Sequence, residues 1–128
     1  MRNIKFKGET MNNEIIYGSL VLAEYGLKGK HKEPKAWIIR SAFSNGGWFN
    51  IQSRQFVKYN TVKQFTEVYD VNRKEIYDGD KVKIGFNEFS KISSDFNGEV
   101  KFLEGKWVVD NGEELIDLWQ EIILWEVI

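Results

Sequence analysis

Cysteine is missing from the 128 residues of this sequence, and histidine and proline each occur once. Without cysteine, the chain has no disulfide framework, no thiol nucleophile and no thiolate zinc site. Apolar runs reach four residues at most, far short of a membrane span, and the charged N-terminal stretch lacks the apolar core of a secretory signal. These absences predict a globular protein of the cytoplasm that has no membrane association.

Aromatic side chains are abundant, with 9 Phe, 5 Tyr and 5 Trp in a composition that is 42% hydrophobic. Such a composition excludes a disordered chain. A chain of this length forms one core or two small ones, and it buries roughly two-thirds of its unfolded surface. We therefore expect a protein that folds without a metal ion or other cofactor.

The net charge of −1 hides a gradient along the chain. Residues 1–40 contain 8 basic and 4 acidic residues, residues 41–94 contain 8 and 6, and residues 95–128 contain 2 and 9. Regions of opposite sign favour self-association or an oriented partner, so a homo-oligomer is expected. The same charges also fit solvated loops and strand faces, and the sequence leaves both interpretations open.

Hydrophobic periodicity indicates strands in both halves of the chain. Apolar and polar residues alternate at Ile4–Lys7, and Ile15–Leu22 is rich in β-branched and apolar residues. We predict a mainly β fold with an N-terminal β-rich subdomain at 1–60 and a C-terminal subdomain at 61–128. The boundary is placed at the polar stretch Lys58–Thr61.

The second half contains five short strands separated by tight turns, a pattern typical of a small, bent barrel of SH3-like size. Glu104-Gly105 predicts a hairpin between the strands Val100–Phe102 and Trp107–Val109. Residues 113–119 carry leucines and a tryptophan at helical spacing, so at most one short helix is expected.

A longer pattern runs through the centre of the sequence. It begins with Thr61-Val62-Lys63-Gln64-Phe65-Thr66, continues through Asp70 and Asn72, and ends with Lys74-Glu75-Ile76-Tyr77-Asp78-Gly79-Asp80-Lys81-Val82. This block resembles the signature of the YopX family of small phage and prophage proteins. The segments Arg2–Gly8 and Tyr17–Leu20 also resemble that family, and they occur in the same order.

The resemblance implies a β-rich fold with an SH3-like C-terminal barrel and an origin in a mobile element of a bacterial host, but it implies no activity. Glu67 and Arg73 stand where the family has glycine, which leaves a different backbone open at those two turns. The signature residues are interpreted as structural, with a glycine that permits the turn and an aspartate that bonds backbone N–H groups. They are Gln64, Phe65, Thr66, Ile76, Tyr77, Gly79 and Asp80.

Catalytic chemistry has little support in the sequence. His31 lies among lysines, with no carboxylate and nucleophile to complete a triad. Asp78 and Asp80 flank Gly79, where turn chemistry explains them better than a pair of catalytic carboxylates. The stretch 70–74 starts like a calcium loop but has Lys74 where an oxygen ligand is required. We predict no enzyme, no metal and no cofactor.

Binding is the remaining class, and nucleic acid is one possible partner. The segment between 28 and 35 is basic, and aromatics farther along could stack on the bases of a single strand. The residues that would carry this are Lys28, Lys30, Lys32, Lys35, Trp48, Phe49 and Arg54. The acidic final third argues against it, because dedicated binders show a concentrated basic face.

Protein interaction is the leading prediction. Aromatic residues are enriched in the cores of interfaces, and opposite charges at the two ends of the chain suit contacts between subunits. We expect the partner to be a phage or bacterial host protein or a second copy of the chain.

Overall fold

The computed structural model describes residues 4–23, 35–43, 49–87 and 95–128, with the backbone alone at 23, 40–43, 49–53 and 87. Within these ranges the chain forms eleven strands: β1 (Phe6–Glu9), β2 (Ile15–Ala23), β3 (Lys35–Phe43), β4 (Phe49–Val57), β5 (Lys63–Tyr69), β6 (Glu75–Tyr77), β7 (Lys81–Asn87), β8 (Asn97–Leu103), β9 (Lys106–Asp110), β10 (Leu115–Asp117) and β11 (Ile123–Val127). A 3-10 turn at Tyr59–Thr61 is the only helical element in the described ranges, and no helix there is long and apolar enough to cross a membrane. The prediction of a mainly β fold is confirmed.

The chain divides into two compact units, residues 1–64 and 65–128. The division falls four residues after the end of the predicted subdomain 1–60, inside β5 rather than in the polar stretch before it. The first residues of β5 pair with β1, whereas Phe65 and Tyr69 pair with β6. A single strand therefore belongs to both units.

In the first unit, β4, β3, β2 and β1 form an antiparallel sheet in that order. One face of the sheet holds the core of the unit, where side chains of β1 and β2 pack against buried side chains of β3 and β4. The core consists of Ala36, Ile38 and Val57, with Phe6, Ile16, Leu20 and Val62 packed against them. Gly18 allows β2 to approach β3, because a Cβ at this position would lie 2.4 Å from the carbonyl oxygen of Ile39.

In the second unit, the strand order is β10-β9-β8-β7-β11, again antiparallel. Its core is larger and includes a fully buried tryptophan, Trp125, whose indole Nε1 donates a hydrogen bond to the carbonyl oxygen of Leu118 at 2.9 Å. The buried set is Ile76, Val82, Phe96, Val100, Val109, Leu118, Ile123 and Trp125. Each large side chain of this kind stabilises the fold by about 1.5–3 kcal/mol. An SH3-like closure of these strands stays a prediction.

The hairpin at Glu104-Gly105 is confirmed, with Val100 opposite Val109 and Phe102 opposite Trp107. Both turn residues have positive φ angles, 52° and 84°, which suits the twist of a two-residue hairpin turn.

The helical interpretation of residues 113–119 is wrong, because β10 occupies the middle of this segment and pairs with β9. The side chain of Asn111 accepts hydrogen bonds from the backbone N–H groups of Glu113 and Glu114, at 2.8 and 2.7 Å. That turn returns the chain alongside β9, and cross-strand pairing then overrides the helical spacing of the leucines.

Asp70 connects three parts of the second unit. Its side chain is 5% exposed and accepts hydrogen bonds from the backbone N–H groups of Asn72, Lys74 and Val127, at 2.8, 2.8 and 3.1 Å. Burial by itself raises the pKa of Asp70, but the three hydrogen bonds outweigh it and hold the pKa below its ordinary value. The carboxylate of Asp70, at the start of the stretch that resembles a calcium loop, thus already accepts hydrogen bonds from the backbone around it.

We predict that Asp70→Asn lowers the free energy of unfolding by about 3 kcal/mol, because an amide cannot replace a carboxylate that accepts three N–H groups. The loss is measured by urea denaturation near neutral pH. Because the folded pKa lies below the unfolded value of about 3.9, the contribution of Asp70 is present above that pH and disappears as the pH falls through the folded pKa.

The difference between wild type and Asp70→Asn should therefore shrink in acid. Glu113→Gln, on an exposed turn of the same unit, is the matched control and should leave stability within about 0.5 kcal/mol of wild type. A difference for Asp70→Asn that stays constant into strong acid would contradict the assignment.

Candidate functional site

A bulge interrupts β5 between Phe65 and Tyr69. Thr66 holds it, since the Thr66 hydroxyl donates to the carbonyl oxygen of Ile76 at 2.8 Å and accepts from the backbone N–H of Val68 at 3.1 Å. The side chain of Thr66 is buried, so these bonds are shielded from water. Bulges redirect the side chains next to them, and here the redirected residue is Glu67.

Glu67 has a φ of 68°, and Arg73 in the turn after β5 has a φ of 64°. Both lie in the left-handed region that glycine adopts freely and other residues adopt at a cost of about 1–2 kcal/mol. These are the two positions at which the sequence carries Glu and Arg in place of glycine. Both residues thus take a backbone conformation that glycine adopts at little cost.

Two adjoining cavities of about 420 Å³ and about 230 Å³ lie beside the bulge, and they share Glu67, Val68 and Trp119. We call them together the Trp119 groove. One wall comes from β5, and the other comes from the β9–β10 hairpin and the chain that follows it to β11. The lining residues are Thr66, Glu67, Val68, Tyr69, Lys106, Trp107, Asp117, Leu118, Trp119, Gln120, Ile123, Leu124 and Trp125.

Trp119 is the most exposed large hydrophobic side chain of the described residues, at 72%. It follows Leu118, which is fully buried, so the chain turns one apolar side chain into the core and the next one out to solvent. Trp107, also in the groove, is half-buried and meets the ring of Phe102 edge-on at 5.1 Å. The groove therefore presents the indole rings of Trp107 on β9 and of Trp119 in the chain after β10.

An ion pair crosses one end of the groove. Lys106 Nζ lies 2.9 Å from Asp117 Oδ1, and both side chains are more than half exposed. The hydrogen bond and the charge of Asp117 raise the pKa of Lys106. Lys106 is thus held in its charged form, which is the reverse of the state a lysine nucleophile needs.

The signature turn after β6 lies apart from these lining residues. Gly79 has a φ of 84°, and Asp80 Oδ2 accepts a hydrogen bond from the backbone N–H of Tyr77 at 2.8 Å. Ile76 and Tyr77 are buried, and the Tyr77 hydroxyl donates to Glu75 Oε1 at 3.2 Å. The carboxylates of Asp80 and Glu75 therefore accept hydrogen bonds from within the protein, at the turn and on β6.

Phe65 and Gln64, the other two signature residues, lie on β5. Phe65 is buried and meets the rings of Tyr69 and Tyr77 at 5.4 and 5.6 Å, and Gln64 pairs with Phe6 of β1. Among the residues that the structure describes, no group of three His, Asp or Glu side chains converges as a metal site.

Most of the basic segment predicted as an interaction site, namely Lys28, Lys30 and Lys32, lies outside the described residues, as do His31 and Trp48. Phe49 begins β4, where only the backbone is described. Lys35 opens β3 and is exposed, and Arg54 on β4 lies over the ring of Trp37, with 5.6 Å between the guanidinium carbon and the ring centroid.

Sequence reasoning missed Trp119, Lys106 and Asp117. An isolated tryptophan in a polar turn was the available signal, but its spacing from the leucines made it look like part of a helix. The pairing of Lys106 with Asp117 depends on the register between β9 and β10, which local patterns do not specify.

A family model described as YopX protein matches residues 5–128. No curated protein matches the chain, and no solved structure matches it. The matched range spans both compact units and the whole of the Trp119 groove.

We predict that Glu67→Gly raises the free energy of unfolding by about 1 kcal/mol, since it relieves a left-handed backbone. Arg73→Gly should act in the same direction. Urea denaturation measures both. Glu99→Gly, on an exposed position of β8, is the control and should lower stability by about 0.5–1 kcal/mol. Equal losses in all three variants would refute the strain at 67 and 73.

Proposed function

Because the chain belongs to the YopX family, we propose that it is a non-enzymatic protein-interaction module of phage or prophage origin, working in the cytoplasm of a bacterial host. Its partner is a protein with an extended, basic segment that carries an apolar anchor, and the Trp119 groove binds that segment. The observation that carries the proposal is an exposed tryptophan over a groove in a strongly acidic unit.

Charge supports a basic partner. Residues 65–128 contain 7 basic and 15 acidic residues, a net charge of −8. Glu67 and Asp117 line the groove itself. The hydrogen bond and charge of Asp117, and to a lesser extent the charge of Glu104, raise the pKa of Lys106 in the same lining. A field of one sign steers an oppositely charged segment to its site and speeds association.

The groove also supplies the apolar contact that affinity requires. Trp119 and Trp107 offer indole rings, and tryptophan is among the residues that most often dominate binding energy at interfaces. Val68 and Leu124 add apolar surface along the same groove. A cavity of this size accepts one or two side chains of a peptide, with the rest of the segment lying along the surface.

An extended segment fits the adjacent strand edge. β10 ends the strand order of its sheet. The backbone N–H of Leu118 donates to the carbonyl oxygen of Trp107, so the alternation of an antiparallel pair directs the main-chain groups of Leu115 and Asp117 away from β9. Peptides that add a strand to such an edge gain main-chain hydrogen bonds as well as pocket contacts.

The ionisable groups favour binding over acid–base catalysis. Asp117 raises the pKa of Lys106, while the Gly112 N–H and the Lys101 ammonium lower the pKa of Asp110. Asp70 is also held ionised by its hydrogen bonds. General acids and bases need a pKa near the working pH, and each of these groups is moved away from neutrality.

We expect Trp119→Ala to weaken binding of a basic peptide at least tenfold, because it removes the exposed anchor while leaving the core untouched. Peptides are first selected by display against the full chain, and the affinity of the best one is then measured by calorimetry. Selected sequences should be basic and carry an aromatic or large aliphatic residue. Ile128→Ala, at a side chain 69% exposed and outside the groove lining, is the matched control.

Selection of acidic peptides, or equal affinity of wild type and Trp119→Ala, would overturn the proposal. A second copy of the chain is another occupant of suitable charge, since residues 1–64 contain 11 basic and 4 acidic residues. Sedimentation at rising protein concentration distinguishes it. A salt-sensitive oligomer that Trp119→Ala dissociates would place the chain itself in the groove.

A further inference from the structure

The sheet of the first unit has a second face, opposite its core. Phe6, Ile16 and Leu20 pack into the core, so the alternation of side chains along β1 and β2 directs Lys7 and Tyr17 to the other side. On β3 and β4, Ala36, Ile38 and Val57 occupy the core face. Lys35, Trp37, Arg54 and Phe56 therefore lie on the opposite face, which we call the outer face.

Basic side chains are concentrated on the outer face. They are Lys5, Lys7, Lys35, Arg54 and Lys63. Lys7 and Lys63 stand directly opposite each other on neighbouring strands, which places two positive charges side by side on this face. Glu9, on the same face, is bridged by Lys58 at 3.1 Å. The first unit as a whole carries a net charge of +7, from 11 basic and 4 acidic residues.

Aromatic rings lie among these cations. Tyr17 is 45% exposed, and Lys5 Nζ lies 5.3 Å from the centroid of its ring. Trp37 meets Phe56 edge-on at 5.1 Å and lies beneath the guanidinium of Arg54. Bases of single-stranded nucleic acid stack on aromatic rings and on guanidinium planes alike.

We propose that the outer face of the first unit binds single-stranded nucleic acid, with its lysines on the phosphates and with Tyr17 and the Arg54–Trp37 pair under the bases. Cations alone would suit any polyanion, but rings placed between them favour a ligand that alternates charge with planar surface. The site lies in a different unit from the Trp119 groove, so the two proposals stand or fall separately.

The test uses the full chain and a fluorescent oligothymidylate of about 20 nucleotides, longer than the about 4–16 nucleotides that a small β-barrel site covers. Fluorescence anisotropy gives the dissociation constant between about 50 and about 200 mM salt. Lys7→Gln with Lys63→Gln should reduce the slope of log affinity against log salt by about 1.4, since each phosphate contact on a single strand contributes about 0.7. The matched control is Lys74→Gln with Lys81→Gln, which removes the same charge from the second unit.

Stacking is tested at the exposed ring. Tyr17→Ala should weaken binding of the oligothymidylate about tenfold, whereas Tyr17→Phe should keep it near wild type. An abasic oligomer of the same length should bind more weakly than the oligothymidylate, and Tyr17→Ala should not affect it. Equal binding of the two oligomers would overturn the proposal in favour of a general contact for acidic surfaces. Competition by heparin as strong as that by unlabelled oligothymidylate would do the same. Absence of binding at about 50 mM salt would overturn it outright.

Discussion

In residues 65–128, backbone N–H groups of the turn after β5 and of β11 donate hydrogen bonds to one carboxylate, that of Asp70. Local contacts alone could form the turn, but they would not join it to a strand that lies more than fifty residues along the chain. A buried carboxylate is unfavourable unless its oxygens accept hydrogen bonds, so a backbone that satisfies Asp70 must bring these segments together. The backbone hydrogen bond from Val71 to Trp125, 2.7 Å long, then completes the join beside the tryptophan of the core.

The groove depends on this join and on the bulge before it. Thr66 fixes the bulge from inside, Glu67 within the bulge is left-handed, and the left-handed Arg73 lies in the turn at the far end of this segment. The same segment forms one wall of the groove, while β11 and the residues before it contribute to the other. Strained backbone persists where the surrounding structure over-determines it, and here the hydrogen bonds of Thr66 on one side and of Asp70 on the other do so.

Local sequence signals were sufficient for much of this fold. Alternation located the strands, and Glu104-Gly105 specified its hairpin because a two-residue turn with positive φ angles accepts few sequences. Residues 113–119 were misread because an isolated pattern cannot report the partner strand, and β9 supplies that partner. The groove was not predictable for the same reason, since Glu67, Lys106 and Trp119 come together only through long-range pairing. Of the lysines predicted between 28 and 35, only Lys35 lies in the described residues, and the outer face joins it to cations of three other strands and to the residue before β1.

The pairing of β5 with both β1 and β6 determines where the protein can be divided into fragments. A cut at the polar stretch before it, after residue 60, would remove Lys63 and Gln64 from the first unit and strip β1 of its outer neighbour. The fragment would then display an unpaired strand edge, which is a template for edge-to-edge aggregation. Ending the fragment after Gln64 keeps that edge covered, although the second piece then starts in mid-strand at Phe65, whose buried ring contacts those of Tyr69 and Tyr77. Fragments that overlap across residues 61–69 avoid both defects.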